Sequence, residues 1–233
     1  MSGFDAVLDH ELLSAPSWFQ LVVTVNDGSG SMTLPSAEPD ESLGAGAPAR
    51  TKAAAVEGAL KGLLHDLKQG RSPENFHFSF VSFNDVVTDE RAPVRLVDVP
   101  VDASYDPTAK GIGGTAIHSG LDAACRIVER YMREAAASEV PVSAVVAVMS
   151  DGEERDDAVK TAEAAARIRA LPCTHLAACL FAAKGDPATG GDLLESIVSA
   201  PELYSRVYSA AQLRAFFKKS VTATRPGLML PRG

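Results

Sequence analysis

Residues 21–31 read Leu-Val-Val-Thr-Val-Asn-Asp-Gly-Ser-Gly-Ser. Leu21 to Val25 is a short, β-branched run stopped by Asn26-Asp27-Gly28, which predicts a buried strand running into a turn. A second run, Ala144-Val145-Val146-Ala147-Val148-Met149, is apolar without interruption. That is the mark of a strand covered on both faces of a sheet. It too stops at polar residues, Ser150-Asp151-Gly152-Glu153-Glu154. Between and after these runs the periodicity switches repeatedly. Val56, Leu60, Leu63, Leu64 and Leu67 recur at helical spacing and predict a helix over 51–68. Phe76, Phe78 and Phe80 alternate with His77 and Ser79, so 76–83 reads as a strand whose aromatic stripe is core. A strand over 94–99 has proline near both ends and belongs at an edge. Ile117, Leu121, Ala124, Val128 and Tyr131 mark a helix over 116–137. A helix over 157–170, a strand over 174–182, a helix over 191–199 and a strand over 204–208 follow. Ser209 with Gln212 three residues on is a capping box for a last helix.

Alternating strands and helices, with no internal repeat, predict an open α/β sheet. Six mostly parallel strands are expected, with helices on both faces and 94–99 as an antiparallel edge strand. The chain has 233 residues, within the range of one or two domains. Hydrophobic residues at 46% and charged residues at 22% argue against a disordered or fibrous chain. A net charge of −8 lacks the basic footprint of a nucleic-acid binder. No apolar run reaches the ~18 residues of a membrane span. Met1 to Gln20 carries Asp5, Asp9 and Glu11 and has no basic region before an apolar one, so no secretory leader is expected. Cys125, Cys173 and Cys179 have no CxxC spacing and read as free, buried thiols in a reducing cytoplasm.

In sheets of this kind ligands bind beyond the carboxyl ends of the strands. Three segments should gather there: Asp27-Gly28-Ser29-Gly30-Ser31, Gly113-Gly114-Thr115 and Ser150-Asp151-Gly152. They offer carboxylates and hydroxyls with no histidine or thiol. That hard-oxygen set suits Mg²⁺ or Mn²⁺ and suits Zn²⁺ or Cu²⁺ poorly. In D-x-S-x-S, alternate side chains point the same way. Gly28 and Gly30 should let the backbone turn tightly and approach an ion. A lysine filling the gap between these oxygens would end the case for a cation site.

D-x-S-x-S after the first strand, a Gly-Gly-Thr loop and Ser-Asp-Gly after a central strand together resemble the von Willebrand factor A domain. There they form a metal-ion-dependent adhesion site. The resemblance covers Trp18 to about Thr224, and implies an 18–224 domain of Rossmann-like fold between an N-terminal extension (1–17) and a tail (225–233). It implies that Ser29 and Ser31 are direct metal ligands, that Thr115 is a direct or water-mediated one, and that Asp27 and Asp151 act through water. The ending Tyr208-Ser209-Ala210-Ala211-Gln212-Leu213-Arg214-Ala215-Phe216-Phe217-Lys218 resembles the last helix of small bacterial members of the tellurite-resistance type. Such proteins accompany kinases, PP2C-type phosphatases or ATPases in stress responses. A metal held by neutral hydroxyls keeps much of its charge and attracts a Glu or Asp carboxylate of a partner. The expectation is therefore a cytoplasmic, non-enzymatic adaptor that binds Mg²⁺ or Mn²⁺ and an acidic protein partner, with no nucleic-acid or membrane role. Residues 33–50, rich in Pro, Gly, Ser and acids, depart from the compact pattern as a long loop after the metal segment.

Competing readings are weaker on the residues themselves. Gly111-Ile112-Gly113-Gly114-Thr115-Ala116 fits a dinucleotide fingerprint, but no strand precedes it. Neither Ser29 nor Ser31 sits in G-x-S-x-G. Asp27-Gly28-Ser29 lacks the second aspartate of a haloacid-dehalogenase-type phosphatase. A metal-dependent phosphohydrolase using Asp27 and Asp151, or a structural subunit with a degenerate site, are the alternatives. His118, one turn into the helix after Thr115, reads as packing or surface. Glu153 and Glu154, like Glu38, Asp40 and Glu41, read as solvated acids near the site.

Overall fold

The computed structural model describes residues 17–36, 50–100, 102–137, 139–152, 158–182 and 191–224. Residues 1–16 of the expected N-terminal extension, the tail, most of the 33–50 loop, and Glu38, Asp40, Glu41, Glu153 and Glu154 lie outside the described residues. In chain order the elements are β1 (Phe19–Asp27), α1 (Lys52–Lys68), β2 (Phe76–Phe83), β3 (Val87–Glu90), β4 (Val94–Arg95) and α2 (Ile117–Ala135). Then come β5 (Val142–Ser150), α3 (Ala158–Ala170), β6 (Thr174–Phe181), α4 (Gly191–Ile197), β7 (Tyr204–Val207) and α5 (Ala210–Ala223).

The strands form one sheet in the order β3-β2-β1-β5-β6-β7, with β4 also paired to β2. β1 lies parallel to both β2 and β5, and β5, β6 and β7 continue in parallel. β3 and β4 run antiparallel along the free side of β2. The sheet therefore has seven strands rather than six. The unforeseen one, β3, reads Val-Thr-Asp-Glu, too short and acidic to carry a hydrophobic period. It is held to β2 by its ladder and by a 2.8 Å hydrogen bond between the Ser82 and Thr88 hydroxyls. The strand expected over 94–99 shrinks to two residues before a 3₁₀ turn at Leu96–Asp98. Leu96 and Val99 are buried there while Val94 and Val97 stay exposed, so the apolar run supplies two anchors and not a ladder.

Two helical layers follow from the pleat, because alternate residues of β1 face opposite sides. Gln20 faces α5 and donates to Val221 O at 3.1 Å and Thr224 Oγ1 at 2.8 Å. Val25 faces α2 at Gly120. α1 shares the α5 side, and Arg214 grips Asp66 across the two helices at 2.5 and 3.1 Å. α3 packs beside α2 on the other face, with α4 beyond it. Thr51 caps α1 by accepting from Ala54 N–H. Ser209 caps α5 by accepting from Gln212 N–H. The return bond from Gln212 reaches Tyr208 N–H, one residue before a reciprocal box would place it.

Helix α2 comes unusually close to the sheet at Gly120. A Cβ there would lie 2.6 Å from Phe83 Cδ1 and 2.8 Å from Val25 Cγ1. Gly120→Val should overpack this contact and lower stability by about 2–3 kcal/mol, as read by urea unfolding. An unchanged midpoint would show that α2 can slide without cost. All three cysteines are free. Cys125 and Cys179 are buried as expected, but Cys173 is only half-buried. It takes a left-handed conformation, φ 50°, in the turn entering β6, which keeps it out of the core. Among the described residues no helix is long and apolar enough to cross a membrane.

Candidate metal centre

From β1 the chain crosses to β2 on one side, and after β2 it returns to β5 on the other. The order reverses between β1 and β5, and a crevice opens at their carboxyl ends. Asp27 ends β1, and Asp151 follows directly on β5. The two segments are bonded together. The Ser150 hydroxyl donates to Asp27 Oδ2 at 2.5 Å. Ser29 N–H donates to Asp27 Oδ1 at 2.7 Å, an aspartate turn that sets the direction of the next residues. The Ser29 and Ser31 hydroxyls lie 3.0 Å apart, and Ser31 donates to Asp151 Oδ1 at 2.7 Å.

Thr115 arrives on the third segment. Gly30 N–H donates to Gly113 O at 3.0 Å, stitching the two loops together. Asp85 accepts from Gly114 N–H at 2.9 Å, and Ala116 N–H bonds Asn84 O at 2.8 Å. Thr115, between these anchors, is buried. The two glycines of the first loop differ. A Cβ on Gly28 would sit 2.3 Å from Pro107 O, so this crossing needs glycine. A Cβ on Gly30 would meet nothing nearer than 3.9 Å, so no neighbouring protein atom demands glycine there. His118 is half-buried in the first turn of α2.

Asp27 is fully buried. Burial pushes its carboxyl up from the ordinary 3.8 to about 6. The Ser150 hydroxyl pulls it down, the negative charge of Asp151 pushes it up, and the bonds from Ser29 pull it down again. Both oxygens of Asp27 bond groups of its own chain, so the residue shapes the loop.

Ser150, which lies in a motif but was given no role of its own, and two residues outside the motifs, Asp85 and Lys52, complete the centre. Lys52 opens α1, and its Nζ donates to Asp151 Oδ2 at 2.6 Å. The side chains of this ion pair are 8% and 0% exposed. The ammonium sits on the far oxygen of Asp151, while the near oxygen faces Ser31. A lysine has therefore joined the cluster by way of Asp151. Its only sequence signal is a cation at the first position of a helix, where the backbone dipole disfavours positive charge.

The donors fit a small hard cation. Among the described residues no group of three or more His, Cys, Asp or Glu side chains could hold a metal, so hydroxyls must supply much of any shell. Neighbouring ligands of an octahedral ion at 2.0–2.1 Å stand about 2.9 Å apart. The Ser29–Ser31 separation of 3.0 Å matches that edge. The Lys52 ammonium is itself a positive charge drawn to this cluster.

No family model matches the sequence, and no curated protein matches it. Solved structures define the class: the fold is von Willebrand factor A-like. A von Willebrand factor type A protein from Catenulispora acidiphila superposes with a TM-score of 0.60 at 19% identity, over 89% of this chain and 43% of that one. The pilus adhesin SpaC from Lactobacillus rhamnosus GG gives 0.66 at 13% identity, over 89% of this chain and 30% of its own. Proximal thread matrix protein 1 from the mussel byssus, in a form with a zinc-occupied MIDAS motif, gives 0.56 at 19%, over 90% and 46%. This chain thus spans less than half the length of each of these three.

Proposed function

We propose that this protein is a divalent-cation-dependent protein-binding module. The observation that supports it most is the hydroxyl–carboxylate chain Ser29–Ser31–Asp151 at the β1/β5 crevice, backed by buried Asp27. Ser29 and Ser31 would hold the ion directly, Thr115 directly or through water, and Asp27 and Asp151 through water. The ion would supply the positive charge that a partner's Glu or Asp carboxylate recognises. This assignment uses no nucleophile and no general base, in keeping with an adaptor and not an enzyme. Mg²⁺ or Mn²⁺ suits all-oxygen ligation best. The zinc-occupied motif of the mussel protein makes Zn²⁺ a third ion to compare. A kinase, phosphatase or ATPase of a bacterial stress system, of the tellurite-resistance kind, is the partner class we propose, in the cytoplasm.

The buried Lys52–Asp151 pair favours a second reading, in which the cluster is a purely structural remnant. Thermal melting in Mg²⁺, Mn²⁺, Zn²⁺ or EDTA separates the two. Ligand at a hundredfold over Kd adds about 2.7 kcal/mol. For a chain of this size that is roughly 5–10 °C in Tm. Asp27→Ala should remove the gain. Equal melting with and without metal in the wild type would leave the structural reading standing. Turnover of a generic phosphoester that disappeared in Asp27→Ala would instead favour a phosphohydrolase.

A further inference from the structure

Lys52 has no role in the metal-site motif, yet it is the most unusual residue near it. A lysine side chain is rarely buried without a partner that needs it. Helix formation does not ask for it, since the amino end of a helix is the positive end of its dipole. Its backbone is also fixed close to the metal loop. Lys52 N–H donates to Leu34 O at 2.9 Å, and Leu34 N–H donates to Ser31 O at 3.1 Å. Only the flexible four-carbon stem is free to carry the charge elsewhere.

We infer that Lys52 is a tethered counter-cation which competes with the divalent ion for the same carboxylate. The inference rests on the metal-site reading above and adds a regulator to it. With the ammonium on Asp151 Oδ2, the charge offered by Asp27 and Asp151 is reduced by one unit. A divalent ion arriving at Ser29 and Ser31 would stand one carboxylate away from that ammonium. In a site screened from solvent the two cations repel strongly. Metal entry therefore drives the lysine out toward solvent, and its stem can extend because Lys52 lies at the start of its helix. The site has two states, closed by lysine or charged with metal. The lysine sets the ion concentration at which one gives way to the other.

Two measurements test this, both with Mn²⁺ as the probe. The first compares Mn²⁺ affinity by electron paramagnetic resonance in the full chain and in Lys52→Met, which keeps the stem and removes the charge. The variant should bind at least tenfold more tightly. Equal or weaker binding overturns the competition and leaves the metal site standing. If neither protein binds Mn²⁺, the competition and the metal site fall together.

The second measurement needs no variant and so survives a folding failure of Lys52→Met. Acetic anhydride labelling of the wild type, read by mass spectrometry, should find Lys52 protected in EDTA. At saturating Mn²⁺ its labelling should rise several-fold, while the half-exposed Lys61 stays constant as a reference. Bound Mn²⁺ with unchanged labelling of Lys52 would sink the inference.

Discussion

Asp151→Ala is expected to lower the stability of the metal-free protein by about 3–5 kcal/mol, the cost of stranding one half of a buried ion pair. The Asp151 side chain is 0% exposed and that of Lys52 8%. Among the described residues, alanine leaves the Lys52 ammonium without an anion in contact. At about 2–4 °C per kcal/mol the fall in Tm is roughly 6–20 °C. The double variant Asp151→Ala with Lys52→Met should recover most of the loss, because removing both charges of a buried pair is often near neutral. Melting curves in EDTA for the four proteins of this cycle give the result. A single variant melting within about 2 °C of the wild type would mean that the pair contributes nothing.

The other carboxylate of the cluster should behave in the opposite way. Asp27 is as deeply buried, but its two bonded donors, Ser29 N–H and the Ser150 hydroxyl, are neutral, and Asp151 adds a repelling charge. Its carboxyl is raised to about 6, so between about 4 and 6 the native state holds the proton more tightly than the unfolded chain. The stability gained from that proton is fully present below the unfolded value and is lost as pH rises through about 6. Above pH 6 the ionised group is a net cost, on the order of 3 kcal/mol at most. Asp27→Asn keeps the acceptor for Ser29 N–H and removes the charge. It should raise stability in EDTA at pH 7.5 by about 1–2 kcal/mol after some loss at Ser150. The advantage over wild type should shrink as pH falls through 6. The same variant should lose its response to Mg²⁺ or Mn²⁺. If Asp27→Asn proves less stable than wild type at pH 7.5, the charge is structurally required. Two acids in one cluster thus carry different burdens. Asp151 is supported within the chain, whereas Asp27 holds strain that a bound cation would relieve.

The sequence made the frame legible because its signals were long and periodic. The unbroken run ending at Met149 could only be a doubly covered strand, and it runs Val142–Ser150 with its neighbours on both sides. The aromatic alternation of Phe76, Phe78 and Phe80 marked β2 to the residue. The edge was harder. β3 owes its conformation to hydrogen bonds that β2 offers, and nothing in Val-Thr-Asp-Glu announces a strand. At the site, spacing pointed to Asp27, Ser29, Ser31, Thr115 and Asp151; four of these join through hydrogen bonds of the cluster, while Thr115 is brought alongside by the backbone bond between Gly30 and Gly113. Spacing could not reveal Lys52. It reaches Asp151 from 99 residues away in the chain, and a lone lysine at a helix start is a common surface feature. Asp85 was hidden in the same way, as its meaning lies in the glycine amide it receives.

Ser36 and Arg50 stand side by side next to the metal loop. Ser36 N–H meets Arg50 O at 2.8 Å, and Pro35 bridges Thr51 in antiparallel fashion. This short pairing ties the strip after Ser31 to the start of α1, where Lys52 N–H also meets Leu34 O. The two strips are clamped into one piece, so a displacement of either carries the other with it.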